Sequence, residues 1–197
     1  MNAEDPGRYD PREVVTAFAN THVDGGGSVE RFGDEASLIA WAHEQRWFAA
    51  ESALSSVTEV DAAQARELRD ALVVVLLAHS RDARVSDAEV REAEMALARA
   101  GERFPVFVHT TVAGVRLRDT GAGVSRLFSS VLVAVAELSL SGQWGRMKAC
   151  RNQPCHLAFV DRTRNTSATF CSPQCASQSG MRDYRARKRA DKRAGGK

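Results

Sequence analysis

Cys150-Arg-Asn-Gln-Pro-Cys155 and Cys171-Ser-Pro-Gln-Cys175 hold all four cysteines of a 197-residue chain. Two close pairs joined by a short loop are what a tetrahedral zinc ion takes from a polypeptide. Each pair closes a knuckle presenting two sulfurs, and the loop folds back to bring the pairs together. Four unrelated thiols are the lesser alternative. A disulfide framework fits worse, because the chain is too long to need stapling and its first residues do not read as a secretory signal. The expectation is one structural Zn2+ held by Cys150, Cys155, Cys171 and Cys175. Four thiolates leave no open position for water or substrate, so the metal holds a fold rather than catalysing.

Ser172 and Pro173 read as an N-cap and first-turn pair directly after Cys171. That places Cys175 in the first turn of a helix, where the positive end of the dipole favours a thiolate. A knuckle giving two ligands and a helix N-terminus giving two more is the logic of a treble-clef-like finger. The helix continues through Met181-Arg-Asp-Tyr-Arg-Ala-Arg-Lys-Arg-Ala-Asp-Lys-Arg193. At about 100° per residue, Arg182, Arg185, Arg189, Lys192 and Arg193 share a stripe, while Asp183 and Asp191 lie off it. Gly180 interrupts the pattern at a cost of about 1 kcal/mol relative to Ala.

The net charge of +2 conceals a division. From Arg146 onward there are 13 Lys/Arg against three Asp, and the remainder carries 14 Lys/Arg against 22 Asp/Glu. Such asymmetry points to a polyanion-binding module attached to a part with another task.

Upstream, helical periods dominate. Residues 1–10 read as disordered, and Pro11 opens a first helix through Val14, Val15 and Phe18 to about Thr21. A Gly-rich loop follows to Ser28. Asp34 caps a helix with Leu38 and Trp41; Asp61 is expected to cap the next, which runs to His79; Ser86 and Glu89 form a capping box for a third, ending near Gly101. Phe104–His109 and Val112–Leu117 read as a hairpin whose first strand, because of Pro105, is an edge strand or starts late. A last helix, Val124 to Leu138, has a clean apolar stripe. The fold class expected is therefore α+β and mainly helical: a domain over 11–143 with a small β-hairpin, and a finger over 146–197 ending in a basic helix. No apolar run reaches the roughly 18–20 residues of a bilayer span, so the expected location is the cytoplasm, with no membrane partner. The five histidines are scattered and no nucleophile–base pairing stands out, so no enzyme is expected. His156, next to Cys155, reads as a bystander to the metal.

The finger resembles the bacterial CGNR zinc-finger proteins. The matching residues are Cys150-x4-Cys155, Phe159-Val-Asp161-Arg-Thr-Arg-Asn165, Phe170-Cys171-Ser-Pro-Gln-Cys175 and Tyr184-Arg-Ala-Arg-Lys-Arg. The upstream part resembles their partner domain, ABATE, which often opens with a helix ending in Asn-Thr, here Asn20-Thr21. The resemblance implies a transcription regulator with a C-terminal DNA-binding finger. One departure is clear: Ala176-Ser177-Gln178 replaces the Gly-Asn-Arg signature after the last cysteine, so a contact made by that arginine is lost or moved, with Arg182 as its candidate heir. Asp161 and Asn165 are expected to tie the loop through side-chain-to-backbone bonds. Arg162, Arg164, Arg182, Arg185, Lys188, Arg189, Lys192 and Arg193 are the expected DNA contacts. The acidic domain is expected to sense a small-molecule effector, form a homodimer or meet another protein. An RNA-binding finger and a protein-interaction adaptor remain the alternatives.

Overall fold

The computed structural model describes residues 9–22, 29–48, 54, 56–119 and 121–194, without the side chains of Arg193 and Ala194. The expected disorder over residues 1–8 and most of the Gly-rich loop lie outside these. The elements in chain order are α1 (Pro11–Ala19), α2 (Glu35–Glu44), α3 (Glu59–His79), α4 (Asp87–Arg103), β1 (Phe107–Thr111), β2 (Gly114–Arg118) and α5 (Gly123–Leu140). A 3-10 turn at Trp144–Arg146 leads into β3 (Met147–Ala149), β4 (Ala158–Val160) and α6 (Pro173–Ala194). The fold is mainly helical α+β, as the sequence periods indicate.

Local chemistry explains most of the boundaries. Asp34 caps α2 by accepting from the Ser37 N–H at 2.8 Å, and Ser86 with Glu89 closes the box that starts α4. α3 begins two residues before the expected cap at Asp61. Thr58 is its N-cap, and Asp61 sits at the third helical position, accepting from the Thr58 N–H at 2.8 Å. The acidic residue was the returning half of a capping box rather than the cap itself.

The core is built around α3, which touches α1, α2, α4 and β3. Phe18, Phe32 and Trp41 interlock with ring centroids 5.1–5.7 Å apart. Phe104 and Phe128 close the side occupied by α5. α5 is long and apolar enough to cross a membrane by length and composition. Its stripe of Leu127, Phe128, Val131, Ala134 and Leu138 is instead buried in this core, with α1 against it.

β3 and β4 pair antiparallel, Met147 opposite Val160 and Ala149 opposite Ala158. Met147, Ala149 and Ala158 belong to the same buried cluster as α1, α3 and α5. Polar contacts reinforce that join. The Asn20 side-chain amide pairs with Ala158 like a strand residue, accepting its N–H at 2.7 Å and donating to its carbonyl at 3.1 Å. Ser80 Oγ donates to the Ala149 carbonyl at 2.6 Å, and His79 Nδ1 to the Met147 carbonyl at 2.9 Å. Burial, only partly offset by that bond, holds the His79 pKa below its ordinary value. The β3–β4 hairpin thus meets the helices through a shared core.

Candidate metal centre and basic helix

β3 delivers Cys150 and the knuckle behind it, while the N-terminus of α6 delivers the second pair. Cys150 donates its backbone N–H to the Leu157 carbonyl at 2.9 Å, extending the β3–β4 pairing into the knuckle. Ser172 caps α6 by accepting from the Cys175 N–H at 3.2 Å. The local signals read from the sequence thus place both pairs.

All four sulfurs lie within 4.8 Å of one another. Cys155 and Cys171 are 3.7 Å apart, and Cys171 and Cys175 3.6 Å. Sulfurs about 2.3 Å from a tetrahedral zinc are separated by about 3.8 Å, whereas a disulfide needs about 2.05 Å. The cluster therefore has the edge lengths of a zinc site, and its cysteines are unbridged. Burial, with the neighbouring sulfurs adding to it, drives the Cys171 thiol well above its ordinary pKa, and burial also raises Cys155. Cys175 is different. Burial opposes its ionisation too, but hydrogen bonds from Ser172 and Asn152 outweigh it and bring the thiol down to about 7. Sulfurs this crowded share thiolate charge readily only around a cation. The group comprises the four cysteines, without His156.

The loop between the pairs is organised by one buried ion pair. Lys148 and Asp161 have side chains 3% and 0% exposed, with Nζ and Oδ2 2.7 Å apart. Lys148 also donates to the carbonyls of Thr166 and Ala168, at 2.8 and 2.9 Å. Asp161 accepts from the Thr163 N–H and hydroxyl and from the Ala168 N–H. Burial alone would raise the Asp161 pKa; the bonds from Lys148, Thr163 and Ala168 overcome it and lower it to about 2. Every donor of the Lys148 ammonium is used, which is the condition for burying such a pair without a large penalty.

Asn165 does not share this task. It stands exposed at the tip of the loop, and Thr163 supplies the second tie, its Oγ1 donating to Asp161 and accepting from the Ser167 N–H at 2.9 Å. A hydroxyl two residues after the carboxylate reaches it within the turn. Arg162 and Arg164 are exposed beside it.

α6 runs unbroken through Gly180 and is exposed from Ala176 to Lys192, apart from a half-buried Ser179. Arg185, Lys188, Arg189 and Lys192 are exposed and form no ion pair among the described residues. The Arg193 side chain lies outside the described residues. Arg182 differs from these cations in having partners within the chain. Its guanidinium donates to the Gln153 carbonyl at 2.7 Å and to Asn152 Oδ1, so it holds the helix to the knuckle.

A family model for the CGNR zinc finger matches residues 146–188. A second, ABATE, described as "putative stress-induced transcription regulator", matches residues 12–142. The chain belongs to the ABATE family. No curated protein matches it. In this ABATE chain the finger carries one structural zinc site made by Cys150, Cys155, Cys171 and Cys175. Sequence reasoning missed Lys148, Thr163 and Asn152, each a polar residue with no pattern to flag it. Asn20 was visible only as half of the ABATE Asn-Thr pair; its work is to dock the finger.

Proposed function

We propose that this ABATE protein regulates transcription by binding duplex DNA through α6. The observation that carries the reading is a 22-residue helix, capped at the metal centre, on which Arg185, Lys188, Arg189 and Lys192 stand exposed along one face. A row of unpaired cations on a projecting helix suits a phosphate backbone or a major groove. Arg185, Lys188, Arg189 and Lys192 provide the contacts along the helix, and Arg162 and Arg164 extend the charge to the loop. Zinc supplies the rigid corner from which the helix starts; Ser172 and Cys175 hold its first turn in register. One helix reads few base pairs, so a dimer on two half-sites fits the reading.

The test is selection of the zinc-loaded chain against a random duplex pool at near-physiological salt. An enriched motif is the expected result, and its half-site spacing reports the oligomer. Salt-sensitive binding to every duplex without enrichment would leave a non-specific polyanion binder, and tighter binding to a structured RNA would replace DNA as the partner.

A further inference from the structure

Asn152 sits inside the first knuckle, between the two cysteines, and is 3% exposed. A buried carboxamide must satisfy its donors and its acceptor, and all of those recorded for Asn152 go to one helix. Its Nδ2 donates to Gln178 Oε1 at 3.0 Å. Its Oδ1 accepts from the Arg182 guanidinium, which also reaches the neighbouring Gln153 carbonyl. Cys175, Gln178 and Arg182 are spaced three and four apart, so they line one side of α6 over its first turns.

That side is the one that matters downstream. At about 100° per residue, Arg185, Arg189 and Lys192 continue the line of Cys175, Gln178 and Arg182. The face that grips the knuckle becomes the basic face once the helix passes the knuckle's edge. The rotation and direction of the basic stripe are therefore fixed by what the first turns hold. A metal–sulfur bond at Cys175 alone would leave the helix able to pivot and roll about one point. Contacts at Gln178 and Arg182, one and two turns further on, remove that freedom.

We propose that Asn152 is the positioning residue that sets the direction of α6, with Gln178 and Arg182 as its two grips on the helix. Gln178 stands at the third position after Cys175, where the CGNR signature carries arginine, and it serves here as a packing partner of the knuckle rather than as a nucleic-acid contact. The geometry also reaches the helical body. The Arg84 guanidinium, held by Asp82, hydrogen-bonds to the Arg151 carbonyl next to Asn152. Asp82 raises the Arg84 pKa most, and Asp183 of α6 adds to it. The knuckle is thus a bracket between the body and the helix.

The consequence for binding rests on the DNA reading above; the positioning itself does not. The test uses the zinc-loaded full chain with two spin labels on non-cysteine side chains, at the exposed Met95 of α4 and Ala190 of α6, so that the four thiols remain on zinc. The unsubstituted chain is expected to give one narrow distance distribution. Asn152→Ala should keep one zinc per chain and broaden the distribution severalfold. Should Asn152→Ala lose its metal, the Gln178→Ala/Arg182→Ala double variant decides, because both residues are exposed and neither is a metal ligand: it too must broaden the distribution with zinc retained. A distribution as narrow as that of the unsubstituted chain, in either zinc-loaded variant, overturns the proposal. Duplex affinity should fall about tenfold in Asn152→Ala as the correctly directed fraction falls, with the salt slope unchanged because no charge is removed. If the unsubstituted chain binds no duplex while the distances behave as stated, the DNA reading alone is lost.

Discussion

Lys148 and Arg185 are both cations of the finger, and the structure treats them in opposite ways. Lys148 is 3% exposed and uses its whole ammonium on Asp161, Thr166 and Ala168. Arg185 stands on α6 in solvent. The β3–β4 hairpin turns the charges of Lys148 and Asp161 inward, whereas α6 beyond Arg182 turns its cations outward. The difference teaches that a basic region of a sequence has two uses for charge. A buried cation must be fully partnered or it costs stability, whereas a cation kept for phosphate must be left without a protein partner. Arg182 stands at the border, on the helix by position but committed to the knuckle by its bonds.

The hardest blow to this contrast is removal of the metal. Replacing any one of the four cysteines by Ser, or chelating the zinc, should take zinc from one per chain to none and unfold both the knuckle and α6. Structural zinc contributes roughly 10–16 kcal/mol to small domains of this kind. Because Met147, Ala149 and Ala158 lie in the helical core, amide exchange in α3 should accelerate too. Metal content and hydrogen exchange measure this; a variant that keeps a full zinc equivalent would refute the ligand assignment.

Next comes the inward charge. Lys148→Ala leaves Asp161 buried and short of its main partner, and should cost roughly 3–5 kcal/mol in urea unfolding of the zinc-loaded chain. Acid should act on the same pair. The Asp161 pKa is lowered to about 2, so its stabilisation is present above the ordinary carboxylate range near pH 4 and is lost as pH falls towards 2. Asp161→Asn should flatten that part of the acid transition, and an unaltered profile would show that the pair is not what holds the loop.

The outward charge should behave in reverse. Arg185→Ala/Arg189→Ala/Lys192→Ala should leave unfolding within about 0.5 kcal/mol of the parent while weakening duplex binding. Its salt dependence should drop by about three from a starting slope near −5. A stability loss matching that of Lys148→Ala would erase the distinction between the two regions. The smallest effect is expected at Gly180, which lies within α6 with no atom within 4 Å of an added Cβ. Gly180→Ala should firm up the helix by about 1 kcal/mol, read as slower amide exchange beyond residue 180.

Much of this was legible because local chemistry decided it. The cysteine spacing named the ligands, Ser172-Pro173 named the start of α6, and Ser86 with Glu89 named the start of α4; each signal spans a few residues and survives in a linear string. The misreadings fell where two local options were chemically equal. Asp61 can be a cap or the third member of a capping box, and only Thr58 settles which. Asn165 and Thr163 can both tie a loop, and the choice depends on which one the turn brings to Asp161.

The sequence by itself determined that the chain has a four-thiolate metal site, an acidic helical part and a basic helix, because spacing, period and charge are properties of neighbours along the chain. Only the tertiary structure decided that the finger's hairpin is part of the helical core, that Asn20 pairs with Ala158, and that Asn152 grips Gln178 and Arg182. Those contacts join residues 26 to 138 positions apart. Nothing in a residue's neighbours records a partner at that distance; the partner is chosen when burial leaves a polar group with one group in reach to satisfy it.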